Sequence, residues 1–142
     1  MNDYKMNFMH LCDDAIFSQE GKLSLIGIFE VINLTNLPGS LLKAFLVFNL
    51  SVFNQKINVV DLDISMVNSK SGEETFKLPT VSPSIKWVEG NKEAKLGITL
   101  QLVNVTFKEE GMYKIEIKSK NVLIGSLDFQ VNLLKQKKGE VN

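Results

Sequence analysis

Apolar and polar residues alternate with a period of two along most of the chain, the pattern of strands with one wet face. The alternation is cleanest from Ile57 to Val67. Val60, Leu62, Ile64 and Met66 fall on one side there, and Asp61, Asp63 and Ser65 on the other. Tyr4 to Cys12 places Tyr4, Met6, Phe8, His10 and Cys12 on a single face. Further strands are predicted over Lys22–Leu34, Leu41–Phe53, Glu73–Leu78, Lys95–Phe107, Met112–Lys118 and Val122–Leu134. Turn chemistry separates them: Ser18-Gln19-Glu20-Gly21, Pro38-Gly39, Asn54 to Lys56, Asn68 to Gly72, Glu109-Glu110-Gly111 and a tight hairpin at Lys120-Asn121. Pro79 to Glu93 is the least regular stretch, with an edge strand expected at Ser84–Val88. Helical periodicity of useful length does not occur. A run of about eight strands, with no room for crossover helices, predicts an all-β antiparallel sandwich.

Two strands break the rule that a sandwich strand buries one face and wets the other. In Lys22–Leu34, Leu23, Leu25, Phe29 and Val31 share one face, and Ile26, Ile28 and Ile32 the other. In Leu41–Phe53, Leu42, Ala44, Leu46 and Phe48 oppose Leu41, Phe45 and Val47. Ile26, Ile28, Ile32, Leu41, Phe45 and Val47 therefore form a second apolar face. Either the irregular Pro79–Glu93 segment covers it, or another protein does. The expected partner is another protein or a second copy of the chain.

Composition narrows the classes. The chain has 142 residues, 44% hydrophobic and 23% charged. This predicts one globular domain over residues 1–134, followed by a flexible lysine-rich tail at 135–142. Basic and acidic residues number sixteen each, and every basic one is lysine. A hydrophobic, neutral chain is not disordered in bulk. Without arginine or a basic excess, no nucleic-acid partner is expected. The densest apolar stretch, Leu41 to Leu50, is interrupted by Lys43 and Asn49 and is too short to span a bilayer, so no membrane role is expected. Cys12 is the single cysteine, and Met1 to Phe8 holds no apolar leader core. Both suit a cytoplasmic protein. The sequons at Asn33, Asn49 and Asn104 lie inside predicted strands and are read as chance.

Candidate chemistry is sparse. His10 is the one histidine; with Cys12 two residues on, it offers two metal ligands where a structural zinc site takes four. Asp13-Asp14 and the Asp61/Asp63 row are acidic, but calcium needs six to eight converging oxygens. His10, Cys12, Asp13 and Asp14 are thus weak metal candidates, and no metal, cofactor or catalytic residue is expected. Trp87, alone in the irregular segment, is a weak stacking platform for a ligand. Lys135, Lys137 and Lys138 offer only a screened attraction to anions. No phosphate-binding, metalloprotease or nucleophile-elbow motif appears.

Two segments carry a resemblance. Leu11-Cys12-Asp13-Asp14-Ala15, followed by Gly21-Lys22-Leu23-Ser24-Leu25-Ile26-Gly27-Ile28-Phe29-Glu30, resembles the opening of an uncharacterised bacterial family of small β-sandwich proteins. Phe107-Lys108-Glu109-Glu110-Gly111-Met112-Tyr113-Lys114-Ile115-Glu116-Ile117 is similar to the family's closing F-x-x-x-G-x-Y segment. The resemblance implies a fold and a bacterial or phage source, and no activity. Glu109, Gly111 and Tyr113 also have the spacing of an immunoglobulin-type tyrosine corner. Ile115 stands where such domains carry a cysteine, which excludes the disulfide-bonded version. The resulting expectation is a non-catalytic interaction or accessory module. The alternatives are a small-ligand or metal-binding sandwich, and an enzyme with an unrecognised site.

Overall fold

The computed structural model describes residues 2–134, so the predicted tail at 135–142 lies outside the described residues. Nine strands form two sheets that face each other, with no helix among the described residues. They are β1 (Tyr4–Phe17), β2 (Leu23–Phe29), β3 (Val31–Leu34), β4 (Gly39–Val52), β5 (Asp63–Asn68), β6 (Glu74–Lys77), β7 (Ala94–Phe107), β8 (Gly111–Ser119) and β9 (Val122–Leu133). The first sheet runs β2-β1-β4-β7, and the second β3-β9-β8-β5-β6. This is the all-β sandwich that the alternation predicts. In the immunoglobulin arrangement two such sheets also enclose one core. Here β4–β7 and β5–β8–β9 form its centre, and the β1–β2 hairpin widens one flank.

Inward positions of both sheets make the core. Leu46, Phe48 and Leu50 of β4 meet Ile64 and Met66 of β5 and Ile115 and Ile117 of β8 in one buried cluster. Phe107, Tyr113 and Phe129 pack as three rings with centroids 5.1 to 6.0 Å apart, a separation suited to edge-to-face and offset contacts. Lys120 and Asn121 both take positive φ, 50° and 66°, the geometry of a two-residue hairpin whose twist matches its strands.

The predicted strand Lys22–Leu34 is two strands. At Glu30 the chain leaves the first sheet and β3 enters the second, pairing parallel with β9 from Val31↔Gln130 to Leu34↔Leu133. This parallel pair departs from the antiparallel expectation. Crossing between sheets inverts which parity meets the core. Phe29 points inward in β2, while Ile32 and Leu34 point inward in β3. Ile32, expected on an interface, is 4% exposed core.

A second inversion corrects Leu41. β4 and β7 keep an unbroken register, Leu41↔Val105 and Lys43↔Val103. Between those pairs both strands exchange faces, and Asn104 takes φ 53°. Leu41 and Val105 therefore pack on the core, while Leu42 is 71% exposed. A third inversion sits in β1, where the register with β4 slips between Met6 and Phe8. Tyr4 and Met6 turn to the core, whereas Phe8, His10 and Cys12 lie on the outer face. The slip places the Asn7 amide to donate to Asn49 Oδ1 and Ser51 Oγ, both at 2.8 Å.

The irregular segment runs beside the chain that leads into β5. Val60 N donates to the Pro83 carbonyl, and Leu62 N and Val81 N each donate to the other's carbonyl. Ser84 makes a single bridge to Val59, not an edge strand. Ile85 enters the core. The segment thus pairs along the second sheet.

Candidate interaction surface

The outer face of the first sheet gathers the remaining apolar candidates. Across it, Ile28 of β2 stands beside Cys12 of β1, and Cys12 beside Phe45 of β4. One step along, His10 pairs with Val47. Ile26 and Ile28 are 51% and 53% exposed, and Phe45 is half-buried under Lys43, whose Nζ lies 5.3 Å from its ring centroid. Val47 shares the face but is only 1% exposed, so it adds little contact area. Exposed Phe8, Ile16 and Val103 extend the same apolar field. Of the six sequence-predicted interface residues, Ile26, Ile28, Phe45 and Val47 come together here, and Ile32 and Leu41 do not. Phe8, Ile16 and Val103 were missed. The first two sit past unpredicted strand features, and Val103 is exposed only because β7 inverts.

The β1–β2 hairpin outruns its sheet. β1 pairs with β4 only as far as Cys12↔Phe45, yet continues against β2 to Phe17↔Leu23. From Asp13 onward the hairpin is a two-stranded ribbon, with Ile16 and Phe17 exposed near its tip. The tip closes through Ser18 N to the Lys22 carbonyl at 2.9 Å. Asp13 packs its carboxylate against Gly27, whose φ of 68° and missing Cβ both suit that contact. β2 is the outer strand of the sheet, and between Leu23 and Phe29 it carries no charged residue and no proline. Natural edge strands are commonly guarded by such residues.

The candidate chemical residues are placed differently. The Cys12 thiol is fully buried and sits 3.8 Å from the Phe45 carbonyl. Burial, with Asp13 and Asp14 nearby, raises its pKa above the ordinary thiol value, which suppresses the reactive thiolate. His10 stacks on Phe8 with centroids 5.8 Å apart. Asp61 and Asp63 accept 2.7 Å hydrogen bonds from Ser82 and Thr80. Among the described residues no group of three or more His, Cys, Asp or Glu converges as a metal site. Trp87 donates its indole N–H to the Ile57 carbonyl at 2.8 Å and, half-buried, packs against the core, which gives it a structural role. Tyr113 donates its hydroxyl to the Glu109 carbonyl at 2.6 Å, completing the corner that Glu109, Gly111 and Tyr113 predict.

A cleft of about 650 Å³ lies at the opposite end from the ribbon tip. Tyr4, Lys56, Asp61, Lys120 and Leu123 are among its walls. Its volume is within the range of ligand sites, but such sites are mostly apolar with a few convergent polar groups. Here charged and apolar side chains are interspersed. No helix among the described residues is long and apolar enough to cross a membrane.

Comparison with known proteins gives a family without a role. The chain belongs to a family of unknown function, DUF6941, whose model matches residues 7–132. No curated protein matches the chain. Among solved structures, it is similar to part of the alkylpurine DNA glycosylase AlkC of Pseudomonas fluorescens, solved bound to DNA containing an abasic site analog. There the identity is 16% and the TM-score 0.52, over 92% of this chain and 30% of that one. It is similar to part of a β-glucosidase from Listeria innocua, with 7% identity and a TM-score of 0.51, over 92% of this chain and 16% of that one. An immunoglobulin-like protein of Pseudomonas aeruginosa has 13% identity and a TM-score of 0.43, over 92% of this chain and 98% of that one. The chain thus spans less than a third of either enzyme, and at these identities the likeness is one of fold.

Proposed function

We propose that this member of DUF6941 is a non-catalytic interaction or accessory module of a bacterial or phage cytoplasmic system, binding another protein chain through the outer face of its first sheet. The observation that carries this reading is the exposed apolar field of Ile26 and Ile28, bordered by half-buried Phe45 and continued by Phe8, Ile16 and Val103. A sandwich strand ordinarily wets its outer face with polar side chains. Apolar side chains concentrated there mark a contact surface. Cys12 is buried with its thiol pKa raised, and among the described residues His10 forms no ion pair with a carboxylate; both count against the activated nucleophile-and-base pair that covalent catalysis needs.

Lys43 borders the patch and gives a chemical handle for the test. In cells, an amine-reactive crosslinker is expected to join Lys43 to a partner chain in the wild type and not in Ile28→Lys, with thermal stability nearly unchanged. Crosslinks that persist undiminished in Ile28→Lys would refute the surface. A demonstrable turnover abolished by His10→Ala or Asp13→Ala, with the fold intact, would refute the absence of catalysis.

A further inference from the structure

Building on that reading of the outer face, we infer that the partner is a second copy of this chain, joined antiparallel through the free edge of β2 so that the two ribbons form one continuous sheet. The ribbon beyond Cys12 has only two strands, since β1 has left β4 there. Two strands alone are marginal in water, and three or more are needed for independent stability. Among the described residues no strand pairs with the outer edge of β2, which leaves one row of its backbone donors and acceptors open along a stretch with no charged or proline residue. Edge pairing supplies the missing strands: β1 and β2 of one copy continue into β2 and β1 of the other. Peptide chains commonly add to open sheet edges in this way.

The side chains of β2 are self-complementary about Ile26. Antiparallel pairing centred there sets Ile26 against Ile26 of the second copy and Ser24 against Ile28. It also sets Leu23 against Phe29 on the opposite side. Just outside this apolar stretch, Lys22 of each copy meets Glu30 of the other. Both are exposed. Within one chain they flank β2, one residue beyond either end and too far apart to meet, and among the described residues Lys22 pairs with Glu20, at 3.5 Å. A two-fold interface uses the same patch twice, so both charged contacts form together. No other register of β2 against itself both centres on an isoleucine pair and matches Lys22 with Glu30. The outer-face isoleucines then continue across the junction as one apolar band.

The test exploits that symmetry. Sedimentation of the wild type up to about 1 mM should show a monomer–dimer equilibrium. Lys22→Glu alone and Glu30→Lys alone each place like charges at both contacts, and each should weaken self-association about tenfold. An equal mixture of the two variants restores opposite charges at both contacts, and it should associate as well as the wild type. Both positions are exposed, so each variant should melt with the wild type; circular dichroism checks this. A wild type that stays monomeric to about 1 mM overturns the inference and leaves the reading of the outer face standing with a different protein as partner. A dimer whose single variants are not rescued by mixing overturns the β2 edge. A dimer broken by Ile28→Lys but indifferent to both charge variants overturns it in favour of face-to-face packing.

Discussion

Ile28 and Ile32 sit four residues apart and share a parity, yet opposite consequences are expected when each becomes lysine. Ile32 is 4% exposed beside the sandwich core. Ile32→Lys forfeits about 1.5–3 kcal/mol of apolar burial. It also forces an ammonium either to stay dry without a partner or to push β3 away from β9. An unpaired buried charge costs about 3–5 kcal/mol. The sum approaches the total stability of about 5–15 kcal/mol available to a domain, so this variant is expected to be largely unfolded or to melt far below the wild type. Ile28 is 53% exposed, so about half of its burial is at stake. That is roughly 1 kcal/mol, reduced further because a lysine stem can lie along Cys12 and Phe45 with its charge in water. Urea unfolding of dilute protein, read by Trp87 fluorescence and by far-UV circular dichroism, gives both numbers. A difference below about 1 kcal/mol between the two variants would refute the placement of the sheet crossing at Glu30.

Two further outcomes are expected. Tyr113→Phe removes the 2.6 Å bond to the Glu109 carbonyl and should cost about 1–2 kcal/mol, or a melting shift of roughly 3–8 °C. Burial raises the Tyr113 pKa above the ordinary phenol value; the fold favours the protonated form, so its contribution is complete below about pH 10 and declines as pH rises past that value. The gap between wild type and Tyr113→Phe should therefore narrow in strong alkali, and a gap that widens there would contradict the assignment. Cys12, fully buried with its pKa raised, should react with an aromatic disulfide reagent only as fast as the protein opens; rapid stoichiometric labelling of native protein near neutral pH would contradict it.

What could be read in the sequence was what depends on local alternation or on one short spacing. Val60, Leu62, Ile64 and Met66 are buried as their period requires. Glu109, Gly111 and Tyr113 form their corner because a hydroxyl four residues past a carbonyl can reach it wherever that strand begins. Three places inverted a face without a hydrophobic signal: Glu30, the pair Leu42–Lys43 facing Val103–Asn104, and the slip after Met6. The slip after Met6 moves every later side chain of β1 to the other surface. The crossing at Glu30 and the local turn-over of β4 and β7 do the same without a change of register between β4 and β7, and the apolar pattern on either side still looks regular. Among these three places, Asn104 is the residue whose type hints at its positive φ, because asparagine tolerates that region better than most.

Those inversions also account for the surface. Lys22–Leu34 looked apolar on both faces because it serves two sheets. Its second half feeds inward residues to one sheet after its first half has fed the opposite parity to the other. The excess that sequence counting assigns to a single second face is therefore partly core, as Ile32 and Leu41 show. What is left after that subtraction is smaller and more sharply located: Ile26 and Ile28 on β2, with Phe45 on the far side of Cys12 from Ile28. It lies where β1 parts from β4 and the ribbon loses its backing. An apolar patch on a well-backed sheet needs a partner only for its side chains. A patch beside a free edge on a two-stranded ribbon offers a partner backbone as well, and a strand added there satisfies both with one contact.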